Sequence, residues 1–326
     1  MSLPGSYVVV GGAGFLGSHV VDRLLEQPSD SRVVVFDNFS SGRRAHLGKW
    51  AEAARLRVIQ GDVKDLAELR SAMAGCETVI HLASNPDIAR AATEPAVDFH
   101  EGTYLTHNVL EAMRQSGAQR IFYASGSGVY GDRGEVELHE DFGPLAPIST
   151  YGASKLAGEA LIRAYCHMFG INARVFRFGN LVGPRQTHGV GFDFLRRLST
   201  SPHHLRILGD GSQSKSYLHV SDAIDAVMLA SKTDAAFEVY NVATGDYVTV
   251  RTIAEMAIDC TGLKPGDVRL EFTGGDRGWK GDVPVVRLDT SRIRALGWNN
   301  RLSSREALRS SMEAMLEWMA AHRVSA

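Results

Sequence analysis

Residues 8 to 17 read Val8-Val9-Val10-Gly11-Gly12-Ala13-Gly14-Phe15-Leu16-Gly17, an apolar run that leads into the spacing Gly11-x-x-Gly14-x-x-Gly17 and then into a helical pattern. The physics of that spacing is specific. Gly11 lets the chain turn at the end of a strand, Gly14 lets the backbone approach a pyrophosphate, and Gly17 lets the following helix pack closely on the strand. The unpaired N–H groups at the helix start then hold phosphates. A second apolar run, Val33 to Phe36, ends on Asp37, twenty residues beyond Gly17. A carboxylate there accepts hydrogen bonds from both hydroxyls of an adenosine ribose and repels a 2'-phosphate, so the pattern predicts NAD rather than NADP. A glycine triplet alone is a common turn. Here the strand before it, the helix after it and the acid at the right distance agree.

The second chemical signal is Tyr151-Gly-Ala-Ser-Lys155. Positions four apart share a helix face, so the Lys155 ammonium lies near the Tyr151 phenol and within reach of a nicotinamide ribose. A phenol with an ordinary pKa of about 10 is a poor base at neutral pH. A neighbouring ammonium and the charge of oxidised nicotinamide both favour phenolate, which makes Tyr151 a usable general base. Tyr and Lys share helix faces by chance often enough that the pair gains its meaning from the glycine loop.

Composition narrows the class. The 326 residues, 44% of them hydrophobic, are enough to bury a large core, and 35 basic against 37 acidic residues leave a formal charge of −2 with no basic stripe. Nothing here recruits nucleic acid or an anionic membrane. Cys76, Cys166 and Cys260 are widely spaced in apolar surroundings and read as reduced thiols. His81, His100, His107 and the pair His203-His204 have no metal-ligand spacing, so no metal is expected. No apolar stretch approaches the roughly eighteen residues of a membrane span, and a first strand beginning by Tyr7 leaves no room for a leader. The expectation is a cytoplasmic enzyme.

Short apolar runs alternate with amphipathic segments: Tyr7 to Val10, Val33 to Phe36, Arg57 to Gln60, Thr78 to His81, Arg120 to Ala124 and Ala173 to Arg177. This alternation predicts an α/β fold with a doubly wound parallel sheet, a Rossmann domain. Asp62, then Leu82 to Ser84, then Ala124 to Ser127 fall at carboxyl ends of strands, where adenine, nicotinamide and sugar pockets belong. A Gly and Pro cluster from Gly179 to Gly191 marks the exit from this domain. Later elements are read at 206–208 and 215–220, as a helix at 221–231, a strand at 237–242, and helices near 249–260 and 304–321. The reading is a cofactor domain over 1–178, with 221–248 returning to it, and a smaller substrate domain over 179–220 and 249–326.

At this point the chain resembles the extended short-chain dehydrogenase/reductase family. The likeness rests on the glycine loop, Asp37-Asn38-Phe-Ser-Ser41-Gly42, Gly61-Asp62-Val63, His81-Leu82-Ala83, Val129-Tyr130-Gly131 and Tyr151-x-x-x-Lys155. It continues through Arg177-Phe-Gly-Asn180-Leu-Val-Gly-Pro-Arg185, the segment Gly209 to His219 and Gly281-Asp282-Val. Within the family the chain is most similar to NAD-dependent nucleotide-sugar epimerases of the UDP-glucose 4-epimerase type. The resemblance implies that Gly11, Gly14, Phe15, Leu16 and Gly17 hold the cofactor's phosphates and that Asp37, Asn38, Ser40, Ser41 and Gly42 hold its ribose. It places Asp62, Val63, Leu82, Ala83, Ser84, Ala124 and Phe178 along the rest of the cofactor, with Tyr151 and Lys155 at its reactive end. Gly126, Asn180, Lys215, Arg277 and Asp282 become the contacts to a nucleotide diphosphate sugar, a UDP-sugar, the cations serving the diphosphate and Asp282 a ribose.

The implied reaction is a transient oxidation. Tyr151 takes the proton of the sugar C4 hydroxyl, the C4 hydrogen passes to NAD, and it returns to the opposite face after the 4-keto sugar turns. Two departures stand out. The epimerases carry a Ser or Thr, relaying the proton to the catalytic Tyr, where this chain has Gly126. Ser125 or Ser127 then takes over the relay, or Tyr151 acts directly. Gly102 stands where relatives usually carry an Asn that supports the cofactor pocket. The 4,6-dehydratases usually place Asp-Glu where this chain has Ser127-Gly128, and sugar-acid decarboxylases carry a Glu in that loop. Both remain alternatives, as does a nucleotide-sugar-binding relative of low turnover. The apolar faces near 103–115 and 151–169 correspond to a four-helix dimer interface in relatives, which implies a homodimer; a purely intramolecular core gives the same pattern.

Overall fold

The computed structural model describes residues 5–28 and 30–322, and their Cα packing divides into two units. The first comprises residues up to 129, 150–177 and 224–240. Its strands are β1 (Tyr7–Val10), β2 (Val33–Asp37), β3 (Leu56–Gln60), β4 (Thr78–His81), β5 (Arg120–Gly126), β6 (Asn172–Phe178) and β7 (Phe237–Val242). They form one seven-stranded sheet in the order β7-β6-β5-β4-β1-β2-β3. The pairs β1/β2, β2/β3, β1/β4 and β4/β5 are parallel. Strand order reverses between β1 and β4, and the crevice at the carboxyl ends beside such a switch point is where doubly wound sheets bind ligands.

Why these runs become central strands follows from burial. All of β1, β2 and β4 is buried, as expected of parallel strands covered on both faces, whereas edge strand β3 is half exposed. The flanking helices are α1 (Phe15–Glu26), α2 (Leu66–Met73), α3 (Tyr104–Ser116) and α4 (Thr150–Phe169). Leu69, Met73, Val109, Leu110, Met113 and Ile162 join Val8, Val10, Phe36 and Ile121 in the core. Asp65 caps α2 by accepting the Glu68 N–H, and Gly117 ends α3 in the left-handed conformation. A π-helical turn, Phe99–Thr103, precedes α3. The helix Val220–Ala230 is tied to α1 by an Arg23–Asp225 ion pair of 2.6 Å.

The second unit comprises, among the described residues, 130–149, 178–223 and 241–322. Here α5 (Val190–Thr200), α6 (Val250–Cys260) and α7 (Ser304–His322) share a core of Phe194, Leu195, Ile253, Met256, Leu308 and Met312. Its strands are short pairs: Asn180–Val182 with Tyr217–His219, and His204–Ile207 with Arg269–Phe272, both parallel. Residues 130–149, which the sequence places in the cofactor domain, pack with this unit instead. Glu137–Leu138 pairs with Arg287–Leu288, and the Tyr130 hydroxyl donates to Asn241 Oδ1 over 2.8 Å. The segment returning to the first unit is 224–240, shorter than the 221–248 read from the sequence. Two-residue strands paired with distant partners have no local periodicity to betray them.

Among the described residues no helix is long and apolar enough to cross a membrane, and no group of three or more His, Cys, Asp or Glu is placed to hold a metal ion. The cysteines are free thiols. Burial pushes the Cys166 thiol up to about 11.

Candidate active site

At the end of β1 the chain turns through Gly11 with φ +81°, and a Cβ on Gly17 would come within 2.2 Å of the Gly11 carbonyl oxygen. Only glycine fits either place. Gly14 is the N-cap of α1 and makes no side-chain capping bond, so the helix begins at Phe15, Leu16 and Gly17 with no side chain across its positive end. Asp37 is buried at the end of β2, accepting the Ala13 N–H on Oδ2 and the Phe39 N–H on Oδ1, each at 2.8 Å. It therefore fastens the glycine loop to the following turn, and each oxygen keeps a second lone pair for a ribose hydroxyl. In that turn Asn38 Oδ1 accepts the Ser40 N–H at 3.0 Å, Ser40 and Ser41 are exposed, and Gly42 lies against Asp37. Asp62 accepts the Lys64 N–H at 2.9 Å beside the buried Val63. The N–H groups of Leu82 and Ala83 both donate to the Val10 carbonyl, at 2.9 and 3.1 Å, which draws the end of β4 onto β1 at the switch point. Phe178, the last residue of β6, is buried. A glycine-only cradle, an uncapped helix start and a buried acid fit NAD.

Tyr151 and Lys155 occupy the first turn and a half of α4. Lys155 is 3% exposed; its Nζ donates to the Ala124 carbonyl at 2.7 Å and lies 5.5 Å from the centre of the Tyr151 ring. Burial lowers its pKa to about 8, against the pull of Glu159 and Asp98 toward the charged form. Burial also pushes the Tyr151 phenol up to about 12; a hydrogen bond with Ser84 works against this and the Asp98 charge adds to it. In the protein by itself the phenol is thus raised, where the sequence suggests a lowering by Lys155. Tyr151 is there a phenol at neutral pH, and the Lys155 ammonium and the positive charge of an oxidised nicotinamide are the two charges that favour its phenolate.

The loop after β5 divides the hydroxyls proposed as replacements at position 126. Ser125 is buried and donates to Glu159 Oε1 at 2.5 Å. Glu159 is held by Arg177, whose Nε reaches Oε1 at 3.0 Å and whose Nη2 reaches Oε2 at 2.7 Å. The Ser125 hydroxyl is therefore engaged by a buried ion pair. Ser127 opens a 3-10 turn, Ser127–Tyr130, and is partly exposed. A Cβ on Gly126 would meet nothing within 4 Å, so packing does not impose that glycine. Gly102 is the opposite case: its Cβ would lie 2.7 Å from Ser154 Oγ. Close approach of the π-helical turn to α4 therefore favours the glycine, since a side chain at 102 would require Ser154 to shift.

The sequence reading missed Asp98. It is 1% exposed, accepts from Asn85 Nδ2 at 2.8 Å and from the Thr150 hydroxyl at 2.7 Å, and its charge acts on both Tyr151 and Lys155. No local pattern marks it, because its partners lie on β4's outgoing loop and at the start of α4. Glu159 did leave a signal: it follows Tyr151 and Lys155 at the same four-residue interval, on one helix face.

In the second unit three of the residues assigned to substrate come together. Lys215 Nζ is 2.6 Å from Asp282 Oδ1, and Arg277 Nη1 donates to the Asp282 carbonyl at 2.8 Å. Arg277 Nη2 also reaches Asp132 Oδ2 at 2.6 Å, adding a carboxylate the sequence did not suggest. Asn180 is exposed on its short strand, its Nδ2 donating at 3.2 Å to the carbonyl of Ser216, the residue after Lys215.

Comparison with known proteins bears on what this geometry serves. The profile described as the NAD dependent epimerase/dehydratase family matches residues 7–243. The UDP-glucose 4-epimerase of Mycolicibacterium smegmatis is 30% identical over 314 residues, covering 94% of this chain and 97% of its own. A crystal structure of a UDP-galactose 4-epimerase superposes with a TM-score of 0.85 at 36% identity, covering 96% of this chain and 99% of that one. A double mutant of a dTDP-glucose 4,6-dehydratase from Streptomyces venezuelae, crystallised with NAD, superposes with a TM-score of 0.88 at 27% identity, covering 97% and 98%. The glycine cradle, Asp37, Tyr151 and Lys155 all fall inside the matched region, so the chain belongs to the NAD dependent epimerase/dehydratase family and its cofactor is NAD.

Proposed function

We propose that the protein is an isomerase that interconverts C4 epimers of a UDP-sugar through a transient 4-keto sugar. Similarity alone does not choose between epimerase and dehydratase, since both kinds of relative superpose well. The loop after β5 does favour one. Eliminating water across C5 and C6 needs an acid and a base besides the phenol, and Gly126-Ser127-Gly128 offers no carboxylate. Epimerisation at C4 needs a single group that takes a proton and returns it, and Tyr151 is such a group. That contrast carries the reading.

Bound NAD supplies the reversible acceptance of hydrogen from C4. The chain's residues do the rest. Tyr151 accepts the C4 hydroxyl proton; Lys155, charged below about pH 8, favours the phenolate and is oriented by the Ala124 carbonyl. Asp37 fixes the adenosine ribose. In the second unit Lys215 and Arg277 serve the diphosphate and Asp282 the uridine ribose, with Asn180 as a further contact. Exposed Phe99, Tyr104, Met168 and Phe169, on the π-helical turn, α3 and α4, support a homodimer.

The test is product analysis by NMR of the NAD-loaded protein with UDP-glucose, UDP-N-acetylglucosamine and UDP-glucuronic acid. One C4-epimeric pair should reach the same equilibrium from both sides. A 4-keto-6-deoxy product, or no exchange with any of the three, overturns the reading.

A further inference from the structure

We propose, on the reading in which Lys215 and Arg277 serve the diphosphate, that Asp132 is a positioning residue of that site. It holds the Arg277 guanidinium in place and, as a carboxylate beside it, restrains how tightly a nucleoside diphosphate binds.

The bonds within the second unit carry this. Arg277 is anchored at both Nη atoms: Nη1 donates to the Asp282 carbonyl at 2.8 Å and Nη2 to Asp132 Oδ2 at 2.6 Å. The Asp132 carboxylate is itself oriented, because its Oδ1 accepts the Gly134 N–H at 3.2 Å in a tight turn. The segment bearing it is also fixed independently of Arg277. Glu135 meets Arg287, whose Nε reaches Oε2 at 2.8 Å and whose Nη1 donates to the Ser214 carbonyl at 3.1 Å. The Tyr130 hydroxyl donates to Asn241 Oδ1 at 2.8 Å. Removing the Asp132 charge leaves these ties intact.

Charge decides what the arrangement does to an anion. Lys215 pairs with Asp282 and Arg277 with Asp132, both at 2.6 Å, so the cations and carboxylates of the cluster balance. Asp276, 3.7 Å from Arg277 Nε, is largely exposed and screened by water. Without Asp132 the cluster is net positive. A guanidinium has N–H donors beyond those engaged here, so a phosphate oxygen joins Arg277 with Asp132 still in place. The diphosphate and the carboxylate then share one cation, and their like charges repel. The Arg277 hydrogen bond holds the Asp132 carboxyl below the usual carboxylate range, so the repulsion persists at neutral pH. Asp132 thus has two opposed effects: it aims the cation and weakens its net pull.

Calorimetric titration of the NAD-loaded full chain with UDP and with uridine separates the two effects. Asp132→Asn keeps an oxygen for Arg277 and removes the charge. D132N should bind UDP about 3- to 10-fold more tightly than the parent, the effect of one charge a few ångströms away in a partly solvated site. Uridine, which lacks phosphates, should bind both alike. D132A, which removes the acceptor as well, should bind UDP more weakly than D132N. Glu135→Gln, which neutralises a carboxylate of the same segment whose partner is Arg287, should match the parent. Should D132N not fold, Asp132→Ser carries the same expectation. Because the diphosphate is unchanged during turnover, D132N should lower KM by the factor seen for UDP with no gain in kcat. If Arg277→Met weakens UDP binding while D132N binds UDP no tighter than the parent, or tightens uridine equally, the proposal falls and the diphosphate assignment stands. A D132A that matches D132N overturns the positioning part. If R277M binds UDP like the parent, the assignment itself falls. UDP binding is read without turnover, so failure of the epimerase reading leaves the test intact.

Discussion

Ser125 and Glu159 meet across 2.5 Å in the interior of the first unit, and the serine hydroxyl is the donor. The carboxylate it supports is also the partner of Arg177, so three polar side chains on β5, α4 and β6 satisfy one another where no water reaches. Removing the hydroxyl leaves an acceptor short. S125A should therefore lose about 1–3 kcal/mol of stability while keeping kcat within a few-fold. Arg177→Met, which strands a buried carboxylate, should cost about 3–5 kcal/mol. Urea titrations beside rate measurements check both. An S125A enzyme with full stability and no turnover would assign Ser125 to the relay.

The pair on α4 sets the pH behaviour. Burial holds Tyr151 up near 12 and Lys155 down near 8. Lys155 is charged below its midpoint and neutral above it, so the charge favouring phenolate is lost as pH rises through about 8. The rate should fall on that alkaline limb, and Lys155→Arg, which stays charged, should move the fall upward even as it lowers the maximum. Y151F should reduce kcat by about 100-fold or more with melting temperature nearly unchanged. A kcat profile flat from pH 7 to 10 in the parent would count against the role of the Lys155 charge.

Much of the first unit was legible because its rules are local. The glycine spacing, the Val-rich runs and the acid after β2 are all read from near neighbours, and the strands appear within a residue or two of the expected ends. Asp98, Asp132 and the role of Ser125 were not legible, for each depends on a partner brought in by the fold: Asn85 and Thr150, Arg277, and Glu159. A serine beside a vacant catalytic position looks equally available in the sequence whichever way its hydroxyl points. The shifts at Tyr151 and Lys155 likewise follow from burial, which spacing on a helix does not reveal.

Two glycines that the sequence marks as departures should respond oppositely to a methyl group. At Gly102 the new Cβ meets Ser154 Oγ at 2.7 Å and Ser154 Cβ at 3.0 Å. Gly102→Ala should cost about 1–3 kcal/mol, partly recovered by Ser154→Ala, as overpacking is relieved. At Gly126 there is open space, and Gly126→Ala should fall within about 0.5 kcal/mol of the parent. Equal costs at the two sites would show that the π-helical turn yields more readily than its packing implies.

Acid sensitivity should trace in part to His81. The imidazole is buried at the end of β4, its Nε2 bonded to the Thr106 hydroxyl at 3.1 Å, and burial, reinforced by Lys155, lowers its pKa from 6.5 to about 3. Because the folded value is depressed, the neutral ring contributes stability that is fully present above pH 6.5 and is lost as pH falls toward 3. Glu111, held down to about 2 by Arg114 and Tyr165, begins to contribute its own loss only as pH approaches 4.5. The window between pH 4.5 and 6.5 therefore favours the histidine over that carboxylate. There the parent should lose up to about 1.4 kcal/mol per pH unit more than His81→Gln, which keeps a polar group facing Thr106 but takes up no proton. Urea unfolding at several pH values gives the two slopes, and coincident slopes would mean that His81 gains a proton in the native state without cost, contrary to its burial.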